Sequence, residues 1–71
     1  RIGQAVRILV NGEPKTVRPN VTVADLLVEL KVSPQHVAVE INRQLIPRRL
    51  HGETRLAEGD QMEVVTLVGG G

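Results

Sequence analysis

Very few residues of this chain are equipped for chemistry. Its 71 residues contain no Cys, Phe, Trp or Tyr. Thiol catalysis, zinc–thiolate sites and disulfides are therefore excluded, and no aromatic platform exists on which single-stranded nucleic acid could stack. Nine Lys and Arg against eight Asp and Glu leave a net charge of +1, so no global field directs the chain to nucleic acid or a membrane surface. The only histidines are His36 and His51. No motif sets a carboxylate pair or a serine nucleophile beside either one, and both are expected to be solvated loop residues. Arg48 and Arg49, with Arg43 close by, form a small basic cluster suited to an acidic surface. No catalytic residue and no metal ligand emerges. What remains is the closing run Gly69-Gly70-Gly71.

Without side chains, those glycines form the thinnest possible chain and are costly to order, so residues 68–71 are expected to be a flexible tail. The five residues Leu67 to Gly71 reach at most about 16–18 Å. They could carry a chain-terminal carboxylate through a slot too narrow for any side chain. That carboxylate is ionised at neutral pH. It can attack the α-phosphorus of ATP to form an acyl adenylate, and glycine places no bulk against the reaction.

The elements that must hold the tail follow from periodicity. Val6, Ile8 and Val10 alternate with Arg7 and Leu9 as in a half-buried strand. Asn11-Gly12 is a two-residue hairpin turn, because both positions tolerate positive φ. The return strand spans Glu13 to Arg18, and Pro14 confines it to a sheet edge. Thr22 and Asp25 form a variant capping box ahead of a helix. Val23, Leu26, Leu27 and Leu30 are its apolar stripe, and Ser33-Pro34 ends it near Lys31.

Val37, Val39 and Ile41 alternate again, and Asn42-Arg43 turns the chain into a short strand, Gln44 to Ile46. Arg48 to Ala57 is irregular, with room for one 3₁₀ turn, and Glu58-Gly59-Asp60 is a further turn. The last strand, Gln61 to Val68, places Met62 and Val64, with Thr66 at its end, on one face. Glu63, Val65 and Leu67 fall on the other. If the first face lies under the helix, Val65 and Leu67 point outward beside the root of the tail, and Leu45 joins them as a partner-docking patch. The fold class is α+β, with one helix on a mixed sheet of four to five strands. First and last strands pair in parallel at its centre, the β-grasp or ubiquitin-like arrangement. The chain reads as a single domain, 1–71. No apolar run is long enough to span a bilayer, and no signal-peptide stretch opens the chain, so a cytoplasmic location is expected.

From about Val6 to Gly71 the chain resembles the ThiS sulfur carrier proteins of thiamine biosynthesis, ubiquitin-like proteins that end in Gly-Gly. The resemblance is carried by Val10-Asn11-Gly12-Glu13, Thr22-Val23-Ala24-Asp25-Leu26-Leu27, Val37-Ala38-Val39-Glu40-Ile41-Asn42, Ile46-Pro47-Arg48, Glu58-Gly59-Asp60, Glu63-Val64-Val65 and Val68-Gly69-Gly70-Gly71. No piece is specific alone; their order and spacing are.

The resemblance implies a protein cosubstrate, not an enzyme. An adenylating (E1-like) activating enzyme uses ATP on Gly71, whose neighbour Gly70 completes the Gly-Gly motif. A sulfur donor such as a cysteine desulfurase then converts it to a thiocarboxylate, and the sulfur goes to thiazole synthase. No cofactor is bound by the carrier itself. Arg48, with Leu45, Val65 and Leu67, is assigned to partner docking.

Two departures stand out. Asn42-Arg43 replaces the Asn-Gly common in the family, and His51 stands about where many members carry Trp. Two alternatives stay open at this level. One is another Gly-Gly carrier: the small subunit of molybdopterin synthase, or a carrier for tRNA thiolation or cysteine synthesis. The other is a β-grasp interaction or RNA-binding domain with an inert tail.

Overall fold

Two tight turns built on asparagine shape the sheet. The computed structural model describes residues 4–67. In it β1 (Val6–Val10) turns at Asn11 and Gly12 into β2 (Glu13–Val17), with φ of 52° and 82° at the two turn residues. Both are positive, as a type I′ hairpin requires. β3 (Val37–Ile41) turns at Asn42 and Arg43 into β4 (Gln44–Ile46), with φ of 52° and 71°. Arg43 thus takes the left-handed conformation usually left to glycine, at a cost of about 1 kcal/mol. The turn is the same type as the first despite the substitution.

β5 (Gln61–Thr66) lies between the hairpins, and the five strands run β2-β1-β5-β3-β4. β5 is parallel to β1, with Leu9 opposite Gln61, and antiparallel to β3, with Val39 opposite Val64. Pro14 sits in the edge strand β2, where its missing N–H breaks no central ladder. This is the mixed, five-stranded β-grasp arrangement expected from the sequence.

Helix α1 (Val23–Leu30) covers one face of the sheet. Its start is a reciprocal capping box: the Asp25 amide donates to Thr22 Oγ1 at 3.1 Å, and the Thr22 amide donates to Asp25 Oδ2 at 3.1 Å. It ends at Lys31, which turns left-handed (φ 62°) and donates its N–H back to Leu27 and Val28. Val23, Leu26 and Leu27 are fully buried, and Ile8, Val39, Ile41, Leu56 and Met62 pack with them. Each such side chain contributes about 1.5–3 kcal/mol. No helix among the described residues is long and apolar enough to cross a membrane.

The loop before β5 is tied to β1. The Arg7 amide donates to Glu58 Oε1 at 2.8 Å, and Arg7 Nε donates to Oε2 at 3.0 Å. Gly59, at φ 87°, donates its N–H to the Arg7 carbonyl. The Arg7 amide lowers the Glu58 pKa, helped by the guanidinium. The Thr22 amide lowers that of Asp25.

A depressed carboxylate pKa means the folded chain binds fewer protons than the unfolded one once the pH nears the ordinary values of about 3.9 and 4.3. The stabilisation is complete above those values and is lost as pH falls through the depressed ones. Urea titrations across acid pH should therefore show stability dropping below about pH 4, with a shallower drop for Glu58→Gln. An unchanged slope would show that the Arg7–Glu58 contact contributes nothing.

Candidate functional site

The predicted site divides between two faces of the protein and a segment beyond the described residues. The tail motif, Gly69, Gly70 and Gly71, and the expectation of a flexible tail at 68–71, lie outside the described residues. The root of the tail is within them. Leu67 continues the β3 ladder by donating its N–H to the His36 carbonyl at 2.8 Å.

The two-residue alternation of β5 turns Met62 into the core, while Val65 and Leu67 face outward. They are 52% and 47% exposed, and Leu45 is 63% exposed. Register places these residues on one surface. Glu40 of β3 pairs with Leu45 of β4 on one side and with Glu63 of β5 on the other, while Ala38 pairs with Val65. With α1 on the opposite face, this outer face carries an apolar patch directly beside the tail root. The patch expected from the sequence is therefore present as a surface.

Arg48 is not part of it. Pro47 ends β4, and the 3₁₀ turn Arg48–Leu50 carries the chain round toward the start of α1. There Arg48 is exposed and lines a shallow hollow with Ala24, Pro34, Gln35, His51 and Gly52. The same turn overturns the reading of His51 as a solvated residue: it is 4% exposed. Its amide donates to the Arg48 carbonyl, and its carbonyl accepts the Ala24 N–H at 3.0 Å, in the first turn of α1. Its ring is thereby packed between helix and sheet. Nε2 lies 3.1 Å from the Ile46 carbonyl, so Nε2 carries the proton and donates. Nδ1 is buried with no partner among the described residues. His36 is exposed, as expected.

The sequence reading also missed the direct opposition of Glu40 and Glu63. Each sits at an outward position of its strand, but only the β3–β5 register brings them face to face. Among the described residues no group of three or more His, Asp or Glu is placed to hold a metal ion.

Five strands in this order, one helix on one face and a last strand that leads into Gly-Gly define a β-grasp domain of the ubiquitin-like type. A model of the ThiS family matches residues 8–71, and the chain belongs to that family. The crystal structure of the thiamine biosynthesis protein ThiS from Geobacter metallireducens superimposes with a TM-score of 0.80 at 35% identity, covering 93% of this chain and 100% of that one. Two proteins named thiazole synthase, from Paramagnetospirillum magneticum and Magnetococcus marinus, are 35% and 41% identical over 66 residues. That stretch is 93% of this chain but only 20% of the length of each relative.

Three substitutions test these placements. His51→Ala should lower the unfolding free energy by about 1–3 kcal/mol, through a cavity and the unpaired Ile46 carbonyl. His36→Ala should change it by less than about 0.5 kcal/mol. Equal effects in denaturant titrations would contradict the buried placement. Val65→Asp should leave the fold intact, since its side chain faces solvent.

Proposed function

We propose that this protein is a sulfur carrier of thiamine biosynthesis that works as a protein cosubstrate. The observation that carries the reading is the family match, which runs unbroken through the β-grasp domain to Gly71. The thiazole synthase relatives add support, because a segment like this chain forms part of their own polypeptides.

In this reading Gly71 bears a free carboxylate. One of its oxygens attacks the α-phosphorus of ATP in an adenylating enzyme, releasing pyrophosphate and leaving an acyl adenylate. The outer sulfur of a persulfide on a donor such as a cysteine desulfurase then displaces AMP to give an acyl disulfide. A second thiol of the sulfur-donor system cleaves its S–S bond, ends in a disulfide with the donor cysteine and releases the thiocarboxylate, whose sulfur goes to thiazole synthase. The carrier binds no cofactor of its own; ATP is consumed by the activating enzyme, and the reaction sequence belongs in the cytoplasm.

The chain's own contribution is positional. β5 is held by β1 and β3, so the tail leaves from a rigid base. The four residues after Leu67 then reach at most about 14 Å into a partner. Gly69 and Gly70 offer no side chain to obstruct the path. Leu45, Val65 and Leu67 supply the apolar contact that seats the domain while the tail is threaded, with Arg48 contacting an acidic surface from the neighbouring side.

The test is mass spectrometry of the intact protein after incubation with ATP, the activating enzyme and a sulfur donor. The expected product gains the mass difference of one sulfur for one oxygen, localised to Gly71, and a Gly71-deleted chain gains nothing. No shift in the wild type would sink the carrier reading, as would a native protein in which Gly71 lacks a free carboxylate. Val65→Asp should weaken binding to the activating enzyme by about tenfold while the fold persists. Unchanged affinity would remove Val65 from the docking patch.

A further inference from the structure

The opposition of Glu40 and Glu63 is a cost without an internal return. Like charges directly across two strands destabilise a sheet, their Cβ atoms only about 4.5–5.5 Å apart. No ion pair among the described residues includes either carboxylate. The two ion pairs there join Arg7 to Glu58 and Lys15 to Glu29. The side-chain amides of the two turn asparagines are engaged elsewhere: Asn11 with Val64, and Asn42 with Asp60 and Gln61. Neither glutamate has a hydrogen-bond or ion-pair partner among the described residues. The pair also lies within the exposed apolar surface, with Leu45 beside Glu40 in the next strand and Val65 two residues beyond Glu63.

We propose that this pair is the seat for one arginine or lysine side chain of thiazole synthase, with Leu45 and Val65 forming the dry rim around it. The proposal rests on the carrier reading for the partner's identity. The chemistry of the seat comes from the charge pattern. A guanidinium or ammonium between two carboxylates relieves their repulsion and donates a charge-assisted hydrogen bond to each. Closure of the apolar rim excludes water and strengthens the attraction. The location suits delivery of the tail, because Glu63 lies on the strand whose end is the tail root. An acidic seat flanked by apolar side chains also selects the partner: a surface without the cation would bury two unpaired charges.

The experiment is calorimetric titration of the full chain into the thiazole synthase of the same organism, at low and high salt, with Glu40→Gln/Glu63→Gln beside the wild type. The expected result is binding by the wild type that weakens steeply with salt. The double variant should bind about tenfold or more weakly, with a flatter salt dependence and a thermal midpoint equal to or above that of the wild type.

Equal affinity and salt dependence for both chains would overturn the proposal, as would a lowered midpoint, since the pair would then be stabilising the fold. Formation of the thiocarboxylate is measured on the same wild-type sample. A chain that forms it but does not bind thiazole synthase overturns this proposal alone; one that does neither overturns the carrier reading with it.

Discussion

Everything in this fold depends on the pairing of β5 with two strands that otherwise never meet. The β1–β2 and β3–β4 hairpins are each closed by their own turn, and no ladder joins one to the other. β5 supplies that join, parallel on one side and antiparallel on the other. The turns extend it. Asn11 accepts the Val64 N–H at 2.8 Å and donates to the Val64 carbonyl, standing in for a strand residue where β1 has run out. Asn42 accepts the Gln61 N–H at 3.0 Å from the other side. The two asparagines thus satisfy their own left-handed turns and also stitch the last strand into the sheet, which explains why the turn chemistry matters more than its local geometry.

The same constraint decides what could be read from the sequence. Elements specified by neighbouring residues were legible: the Thr22–Asp25 capping box, the Asn11-Gly12 turn, and the alternation of Val37, Val39 and Ile41. Outward placement of Val65 and Leu67 was legible too, because the period of two carries it along one strand. His51 was not. Its burial arises where the Arg48–Leu50 turn meets the first turn of α1, a contact between segments about 27 residues apart that leaves no periodic trace. The Glu40–Glu63 opposition depends on a cross-strand register set by β5 and was invisible for the same reason. Arg48 was assigned to partner docking from its basic cluster with Arg49 and Arg43, and Pro47 and the 3₁₀ turn place it away from Leu45 and Val65.

The two faces of the sheet divide a buried core from an exposed surface. The helix-covered face holds the fully buried aliphatic side chains, and the absence of any aromatic residue makes that core depend on close fit among Val, Leu, Ile and one Met. The outer face holds what the fold does not need: exposed Leu45 and Val65 and an uncompensated pair of carboxylates. Because outward side chains contribute little to the core, the exposed surface can vary while the scaffold stays in place. Family members can thus share a backbone at 35% identity.

The central position of the last strand also bears on how the protein is made. A chain emerging from the ribosome presents both hairpins and the helix early, but the sheet cannot close until Gln61–Thr66 arrives. Its pairing with β1 spans some fifty residues, a contact formed late and at high entropic cost. A product truncated before that strand has two unjoined hairpins and no finished core, which exposes it to proteolysis. The folded population is thereby enriched in molecules whose synthesis has passed the point from which the glycine tail extends, so the topology itself acts as a check on completeness.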